Sequence, residues 1–471
     1  MAANYDLVII GAGPGGYTAA LKATEFGMRV AVIDKERLGG VCVNRGCIPT
    51  KALLHASSIF ATMQQCDEFG VYTDFISFDY KKMQDYKKKS VRQYRGEIEK
   101  LFEKNGIDFI KGTASIRRDK TVEVFHDGGK DFLRAEHIII ATGASPMMPE
   151  IPGISLPGVI NSDRLLSAQT WNYDRMVIMG GGVIGVEFAT IFQALCSKVT
   201  IVEKGPHLLG PMDREVGLAL ERQLRKKGIS VYCNAMVTEI RDEDGLTCLV
   251  THRDGSQTTV LKATQVLAAV GRAPYLEGLM GEDISLDMEN GHLKINGDFQ
   301  TSEPGVYAIG DVVARTQLAH VAMAQATYVV ENIAGRPHSI RLEAVPNGMF
   351  VSLPIVPSCI YTNPEIATVG LTEQSANALG LKVRCGVYSM EENGKSIISR
   401  EEDGFIRLVF EAYSNTIVGA QMVCPRATDM IGEMATAIAN GLTAQQLSVA
   451  MRAHPTYSEG IKAAIEDAMK A

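Results

Sequence analysis

Residues Tyr5–Gly16 read YDLVIIGAGPGG, an apolar run that ends in a glycine turn of the form G-x-G-x-x-G. The run predicts a strand over Tyr5–Ile10, and the residues after the turn predict a helix to about Phe26. A second strand, Arg29–Ile33, ends in the acid Asp34. Each part of this unit has a physical reason. Gly11 permits the tight turn, Gly13 lets a pyrophosphate approach the backbone, and Gly16 allows close packing of helix on strand. The helix N-terminus attracts phosphate, and Asp34 can accept hydrogen bonds from a ribose.

Working outward, the same unit recurs. Arg175–Met179 (RMVIM) predicts a strand that runs into Gly180-Gly181-Gly182-Val183-Ile184-Gly185. A helix follows, and the strand Lys198–Val202 ends in Glu203. Gly11 and Gly180, Gly13 and Gly182, Gly16 and Gly185, and Asp34 and Glu203 are all separated by one constant offset, without a gap. Two dinucleotide sites on two similar α/β folds are therefore expected.

Between the first unit and its repeat lies Gly39–Lys51, GGVCVNRGCIPTK, with Cys42 and Cys47 five apart. That spacing can close a small disulfide loop. A zinc site would want about four ligands with closely spaced pairs, and no second Cys or His pair at such spacing exists, so no metal is expected. The remaining readings are a structural staple and a redox-active pair; intracellular disulfides are usually catalytic or transient, which favours the second. A helix starting near Cys47 places Lys51 one turn on, on the same face, where its charge favours a thiolate. The helix dipole acts in the same direction. A flavin can exchange two electrons with a disulfide, whereas a nicotinamide delivers hydride and leaves. FAD is thus assigned to the first turn, beside the cysteines, and a nicotinamide to the second. Glu203 stands where an NADP site would want arginine, which makes that nicotinamide NAD.

The chain has 471 residues, with 46% hydrophobic, 21% charged and a formal net charge of -7. Several domains are expected at that length, and the charge argues against a general nucleic-acid role. Nine cysteines, mostly isolated, suit a reducing compartment with one special pair. No apolar run is long enough to span a bilayer, and the first strand leaves no room for a leader, so a cytoplasmic protein is expected.

Further along, Asp79–Asn105 is a charged helical stretch whose lysines (Lys81, Lys82, Lys87, Lys88 and Lys89) read either as a docking surface or, more simply, as a solvated face. Thr113–Leu133 predicts an antiparallel excursion with a turn at Asp127-Gly128-Gly129. His137–Gly143 is a buried strand whose Thr142-Gly143 turn suits close approach to a cofactor. A cluster of prolines after Pro146 and the segment Gly271-Arg272-Ala273-Pro274 mark crossings into and out of an inserted domain. Gly310-Asp311 puts a carboxylate at a strand end, where it can bond a cofactor ribityl or phosphate, or simply cap a turn. His320, near the start of a helix over 312–335, reads equally as a core, capping or site residue. After about Pro346 the pattern turns α+β without a phosphate loop, as suits an interface. There His454-Pro455-Thr456-Tyr457-Ser458-Glu459 offers either a general base steadied by an acid or a turn capping the last helix.

Taken in order, Cys-x4-Cys after the first glycine turn, the second turn with Glu187 behind it, ATG, GD and HPTYSE resemble the pyridine nucleotide–disulfide oxidoreductases. GGGVIGVEFA, LAHVA after AIGDVV, YTNPEIATVGLTE and AHPTYSE resemble most closely the branch that oxidises dihydrolipoamide. The resemblance covers nearly the whole chain. It implies an α/β protein with an FAD domain (1–147 and 273–345) split around an NAD domain (148–272), and a C-terminal dimerisation domain (346–471). It also implies a homodimer serving a lipoyl-bearing partner protein of a 2-oxo acid dehydrogenase complex or the glycine cleavage system. In that pattern Cys42 exchanges with the lipoyl sulfur, Cys47 faces the flavin as a thiolate, and Lys51 pairs with Glu187. His454 of the other subunit moves the proton, steadied by Glu459. The alternative is an NAD(P)H-dependent reductase of another small disulfide, against which the carboxylate of Glu203 argues. Two departures stand out: Val41 replaces a usual threonine, and Arg45 replaces a small apolar residue. A cation between the cysteines is expected to favour thiolates and raise the disulfide's potential.

Overall fold

The computed structural model describes residues 3–255, 258–313, 316–340, 343–344, 351–352 and 355–470. The strand Ala3–Ile10 lies inside a seven-stranded sheet, flanked by Val30–Asp34 and Gly129–Ile140, with both pairings parallel. Leu7, Val8 and Ile9 are fully buried. That is why the strand reads as a continuous apolar run instead of alternating: Leu7 and Ile9 face helices such as Pro14–Glu25 and Ala319–Ile333, while Val8 and Ile10 face the antiparallel strands Thr113–Ile116 and Thr121–His126, so both faces are covered. Asp108–Lys111 extends one edge, and Val306–Ala308 pairs parallel with Gly129–Ile140. The excursion expected over 113–133 is present, with Thr113–Ile116, Thr121–His126 and Gly129–Ile140 antiparallel. Its last strand and the expected strand at His137 are one element. Gly129–Ile140 begins as a hairpin arm and ends as a buried parallel strand.

A second, five-stranded parallel sheet has the order 230–232, 198–202, 175–179, 265–268, 159–161. A three-stranded antiparallel sheet over 235–263 packs beside it. Where the chain enters and leaves this unit, Ala144–Pro146 and Arg272–Pro274 pair antiparallel, so the two crossings brace each other.

The C-terminal sheet is antiparallel, in the order 358–360, 366–370, 417–423, 405–411, 383–389, and is backed by Ala427–Ala439 and Glu459–Lys470. The expected boundary at 345/346 lies outside the described residues. The residues 358–361, 405–410 and 417–423 read as strands from their apolar runs, and Ile366–Gly370 and Val383–Ser389 are two more. The second carries Gly386, a poor strand former in isolation. A Cβ there would strike the Ala464 carbonyl of the last helix, so glycine is what lets that helix lie on the sheet.

The long helix Tyr80–Asn105 is capped by Asp79, which accepts from the Lys82 amide at 3.1 Å, and stopped by Gly106 at φ 64°. Its lysines are not all on a solvated face. Lys81, Lys82 and Lys89 are exposed, but Lys87 is 5% exposed and donates to the Leu166 carbonyl and to Gln84 Oε1. Among the described residues, no helix is long and apolar enough to cross a membrane.

Candidate active site

The cysteine loop is built directly on the first glycine turn. The Gly39 amide donates to the Ala12 carbonyl at 2.9 Å. Gly40 adopts φ 56°, and a Cβ on it would come within 2.5 Å of Gly13 Cα. Paired glycines therefore let the loop lie against the turn where a dinucleotide's phosphates belong. Gly40–Arg45 then forms a short helix, Gly46 breaks it, and Cys47 starts the helix Cys47–Gln64. Lys51 falls one turn after Cys47, as expected. That Cys42 would sit in a helix of its own was not legible, because two glycines precede it.

Both thiols are free, half-buried and within hydrogen-bonding reach of each other. The pair is asymmetric. The hydrogen bond from Cys42, then the charge of Lys51, bring the Cys47 thiol down to about 7 despite burial. The same hydrogen bond, together with burial, pushes Cys42 up. The first proton therefore leaves Cys47, and Cys42 holds its own until a base removes it. Arg45 is not among the main groups that set either thiol. Its guanidinium turns outward, 2.9 Å from Glu36 and 3.7 Å from Asp163, so the expected cation between the cysteines is spent on carboxylates. The spacing places Arg45 at the C-terminal end of the short helix, on its outer side.

Lys51 Nζ lies 2.8 and 2.7 Å from the two carboxylate oxygens of Glu187, a residue only 3% exposed. Glu187 Oε1 also accepts from the Tyr361 amide at 3.1 Å, and Lys51 Nζ sits 4.6 Å from the centre of the Tyr361 ring. This knot ties the cysteine helix, the helix after the second glycine turn and the C-terminal sheet together. Tyr361 was not singled out from the sequence; its aromatic ring in IYTNPE was the only signal.

The two glycine turns are nearly superposable in detail. Gly11 and Gly180 take φ of 106° and 108°, and a Cβ on either would enter the carbonyl of Ala141 or Ala269. Cβ atoms at Gly16 and Gly185 would strike the carbonyls of Gly11 and Gly180. Asp34 accepts from the amides of Ala12 and Glu36, both at 2.8 Å. Glu203, its counterpart in the repeat, accepts from those of Gly181 and Gly205 at 2.6 and 2.5 Å. Each acid thus holds its turn in shape and retains lone pairs for a ribose. Gly182 has nothing within 4 Å of a would-be Cβ, and Gly13 has only Gly40 Cα at 3.9 Å, so the turns stay open on the side a pyrophosphate approaches.

The first turn's surroundings fit a flavin dinucleotide. Thr142 Oγ1 is buried without a hydrogen-bond partner. Gly143, at φ 70°, faces open space. Burial raises the Asp311 carboxyl, with only partial relief from Arg272. Gly310 places that carboxylate by donating its amide to Gln325 Oε1 at 2.7 Å. Gly271, in the left-handed region of the backbone, leads into Arg272, a cation missed in the sequence reading. Burial lowers its pKa, and the charges of Asp163 and Asp311 oppose that. Replacing Gly185 with alanine is expected to abolish nicotinamide binding while flavin content stays normal; Gly16→Ala should give flavin-free protein. Flavin absorbance of the purified variants, with NADH titration of the first, checks both.

His454 Nδ1 lies 2.9 Å from Glu459 Oε1, and Glu459 Oε2 accepts from the Thr456 amide at 2.8 Å. The Thr456 amide first, then His454, hold the Glu459 carboxyl below its usual range. The His454 side chain is 78% exposed, and Glu459 is its only side-chain partner among the described residues. The chain does not bring this pair to its own cysteines. His320 bonds the Pro357 carbonyl at 2.8 Å, a structural tie between segments. No cluster of potential metal ligands occurs among the described residues.

Two family models match the chain: the pyridine nucleotide-disulphide oxidoreductase model over residues 5–326, and the dimerisation domain of the same group over 356–465. A dihydrolipoyl dehydrogenase of Bacillus subtilis is 36% identical, covering 98% of this chain and 97% of the relative. One from Chlorobaculum tepidum is 36% identical over 100% and 98%. Among solved structures, the HOCl-induced flavoprotein disulfide reductase RclA from Escherichia coli, as its Cu(II) complex, aligns with a TM-score of 0.84 at 26% identity, over 98% and 99% of the two chains. LpdA from Mycobacterium tuberculosis shares the fold, with a TM-score of 0.87 at 24% identity over 99% of each chain. The chain belongs to the pyridine nucleotide-disulphide oxidoreductase family.

Proposed function

We propose that the protein oxidises the dihydrolipoamide group of a lipoyl-bearing protein and passes the electrons through FAD to NAD. The observation that carries this reading is the asymmetric thiol pair beside Lys51–Glu187, built on a dinucleotide turn. In the oxidised enzyme a lipoyl thiolate attacks Cys42, the Cys42–Cys47 bond breaks, and Cys47 leaves as the thiolate that Lys51 stabilises. The second lipoyl sulfur then attacks the first. Lipoamide departs as a cyclic disulfide, and Cys42 takes up a proton. Two electrons have entered the dithiol and two protons have left the substrate. A base is needed for those protons, and His454 of the partner subunit, oriented by Glu459, supplies it. Bound FAD supplies a two-electron acceptor for the dithiol, and NAD a hydride acceptor beyond it.

Gly11, Gly13, Gly16, Asp34, Lys51, Thr142, Gly143, Gly310 and Asp311 hold the flavin in this reading. Gly180, Gly182, Gly185, Glu203 and Gly271 hold the nicotinamide. The domains divide as 1–147 with 273–345 for FAD, 148–272 for NAD and 346–471 for dimerisation, in a cytoplasmic homodimer. Glu203 supports NAD over NADP, because its carboxylate repels a 2′-phosphate and no arginine stands beside it. The likeness to RclA keeps a second reading, reduction of another small disulfide by NAD(P)H. Reduction of NAD by dihydrolipoamide with FAD-loaded protein tests the two. Fast turnover supports the first. Failure with dihydrolipoamide, alongside NADH-driven reduction of other disulfides, supports the second.

A further inference from the structure

A cavity of ≈ 570 Å³ opens between the helices Gly40–Arg45, Tyr80–Asn105 and Ser162–Ser167. Its lining is markedly basic in a chain of net charge -7. Lys35, Arg37 and Lys111 enter from the strand ends. Lys87, Lys88, Arg92 and Arg95 face it from the long helix, where positions three and four apart, such as Lys88, Arg92 and Arg95, share a side. Arg45 completes the set and is turned onto Glu36 and Asp163, the two acids of the lining, so it offsets part of their charge and leaves seven further cations against them. The other cations are unequally engaged. Arg95 is held by Glu99 at 3.2 Å, Lys88 by Gln169 at 2.6 Å, and Lys35 stacks on Tyr275. Arg37, Arg92 and Lys111 have no ion-pair or hydrogen-bond partner among the described residues.

Gathering like charges around one concavity opposes folding, since inside a Debye length of about 8 Å they repel. The burial of Lys87 adds to that cost, and the nearby charge of Lys88 increases it. An anion in the cavity reverses the sign of both terms. Val91 and Leu166 are the only large apolar side chains in the lining, which leaves little surface for an aromatic ring. None of the residues assigned above to the flavin lines the cavity, although Asp34 adjoins it: one of its oxygens accepts from the Ala12 amide of the glycine turn and the other from the amide of Glu36, which does line it. We propose that this cavity binds a polyphosphate chain, free or as the phosphate tail of a nucleotide, in addition to the dinucleotide on the Gly11–Gly16 turn. This ligand goes beyond the redox chemistry and does not depend on which disulfide the enzyme turns over.

Calorimetric titration of the FAD-loaded protein with tripolyphosphate and with ATP tests it. Saturable binding that weakens as salt rises is expected, and Arg92→Glu and Lys111→Glu should each weaken it about tenfold or more. Lys81→Glu, on the same helix but outside the cavity, should leave it unchanged. Equal affinity for the two ligands makes the free chain sufficient, and tighter binding of ATP adds the nucleoside; both support the site. The proposal is overturned by absence of binding to the FAD-loaded protein, by binding that appears only after flavin is stripped, or by equal losses in all three variants. Flavin content and NAD turnover of Arg92→Glu and Lys111→Glu are expected to match wild type, which separates this result from a failure of the catalytic reading.

Discussion

Cys47→Ser, purified with its flavin, loses dihydrolipoamide-dependent NAD reduction by roughly a thousandfold or more, as expected when a covalent participant is removed. The loss follows from electron storage. A serine oxygen cannot join Cys42 in a disulfide, so no second electron pair is held beside the flavin. The Cys42→Ser variant should be equally inactive for a different reason, because Cys47 remains but nothing exchanges with substrate. It also isolates the ionisation. The Cys47 thiol, lowered to about 7 by a hydrogen-bond donor at position 42 and by Lys51, is ionised above that pH and protonated below it. The long-wavelength absorbance of a thiolate beside oxidised flavin should therefore persist in Cys42→Ser at pH 8 and fade as pH falls. Adding Lys51→Met removes a stabilising charge, so the fading should move to higher pH. A band that is independent of Lys51 would mean that the helix terminus alone holds the thiolate. Retained turnover in Cys47→Ser would remove the pair from the mechanism.

The elements that were legible in sequence share a property: their residues answer to local geometry. The glycines at 11, 16, 180 and 185 sit where any Cβ enters a carbonyl, so a backbone requirement is written as a residue type and repeats at a fixed offset. Cys42, Cys47 and Lys51 were legible because their relation is one helical turn and a short loop. What escaped depends on contacts between distant segments. Nothing near Arg45 says that Glu36 and Asp163 receive its charge, and nothing near Tyr361 says that its amide meets Glu187, far away in the chain. Lys87 sits among four other lysines, yet the Leu166 carbonyl turns it inward. Gly386 weakens a strand locally and is required only because the last helix lies against it. The pairing of His454 with Glu459 was visible from their closeness in the chain. That it serves the cysteines of the other copy was implied by the family resemblance alone, since the sequence order of a site says nothing about which copy supplies each part.

That last point yields the second large effect. His454→Gln is expected to lower turnover by about 10²–10⁴, the usual contribution of a positioned acid–base group. Glutamine keeps a hydrogen-bonding side chain but carries no titratable proton, while Cys42, whose thiol is pushed up, still needs a base. Glu459→Gln should cost less, since it loosens the imidazole without removing it. The geometry of one chain leaves His454 exposed and paired only with Glu459 among the described residues, so in the proposed reading it acts on the Cys42 of a second copy. Mixing decides this directly. Cys47→Ser chains and His454→Gln chains are each inactive alone. Within a dimer that exchanges active-site parts, one site combines both lesions and the other combines intact cysteines with an intact histidine. Co-expressed chains associating at random under twofold symmetry should then recover about a quarter of wild-type activity. If His454 served its own chain, every site in the mixture would carry one lesion and no activity would return. Recovery thus identifies the donor of the base, and its absence, with dimers verified by light scattering, assigns the proton to another group.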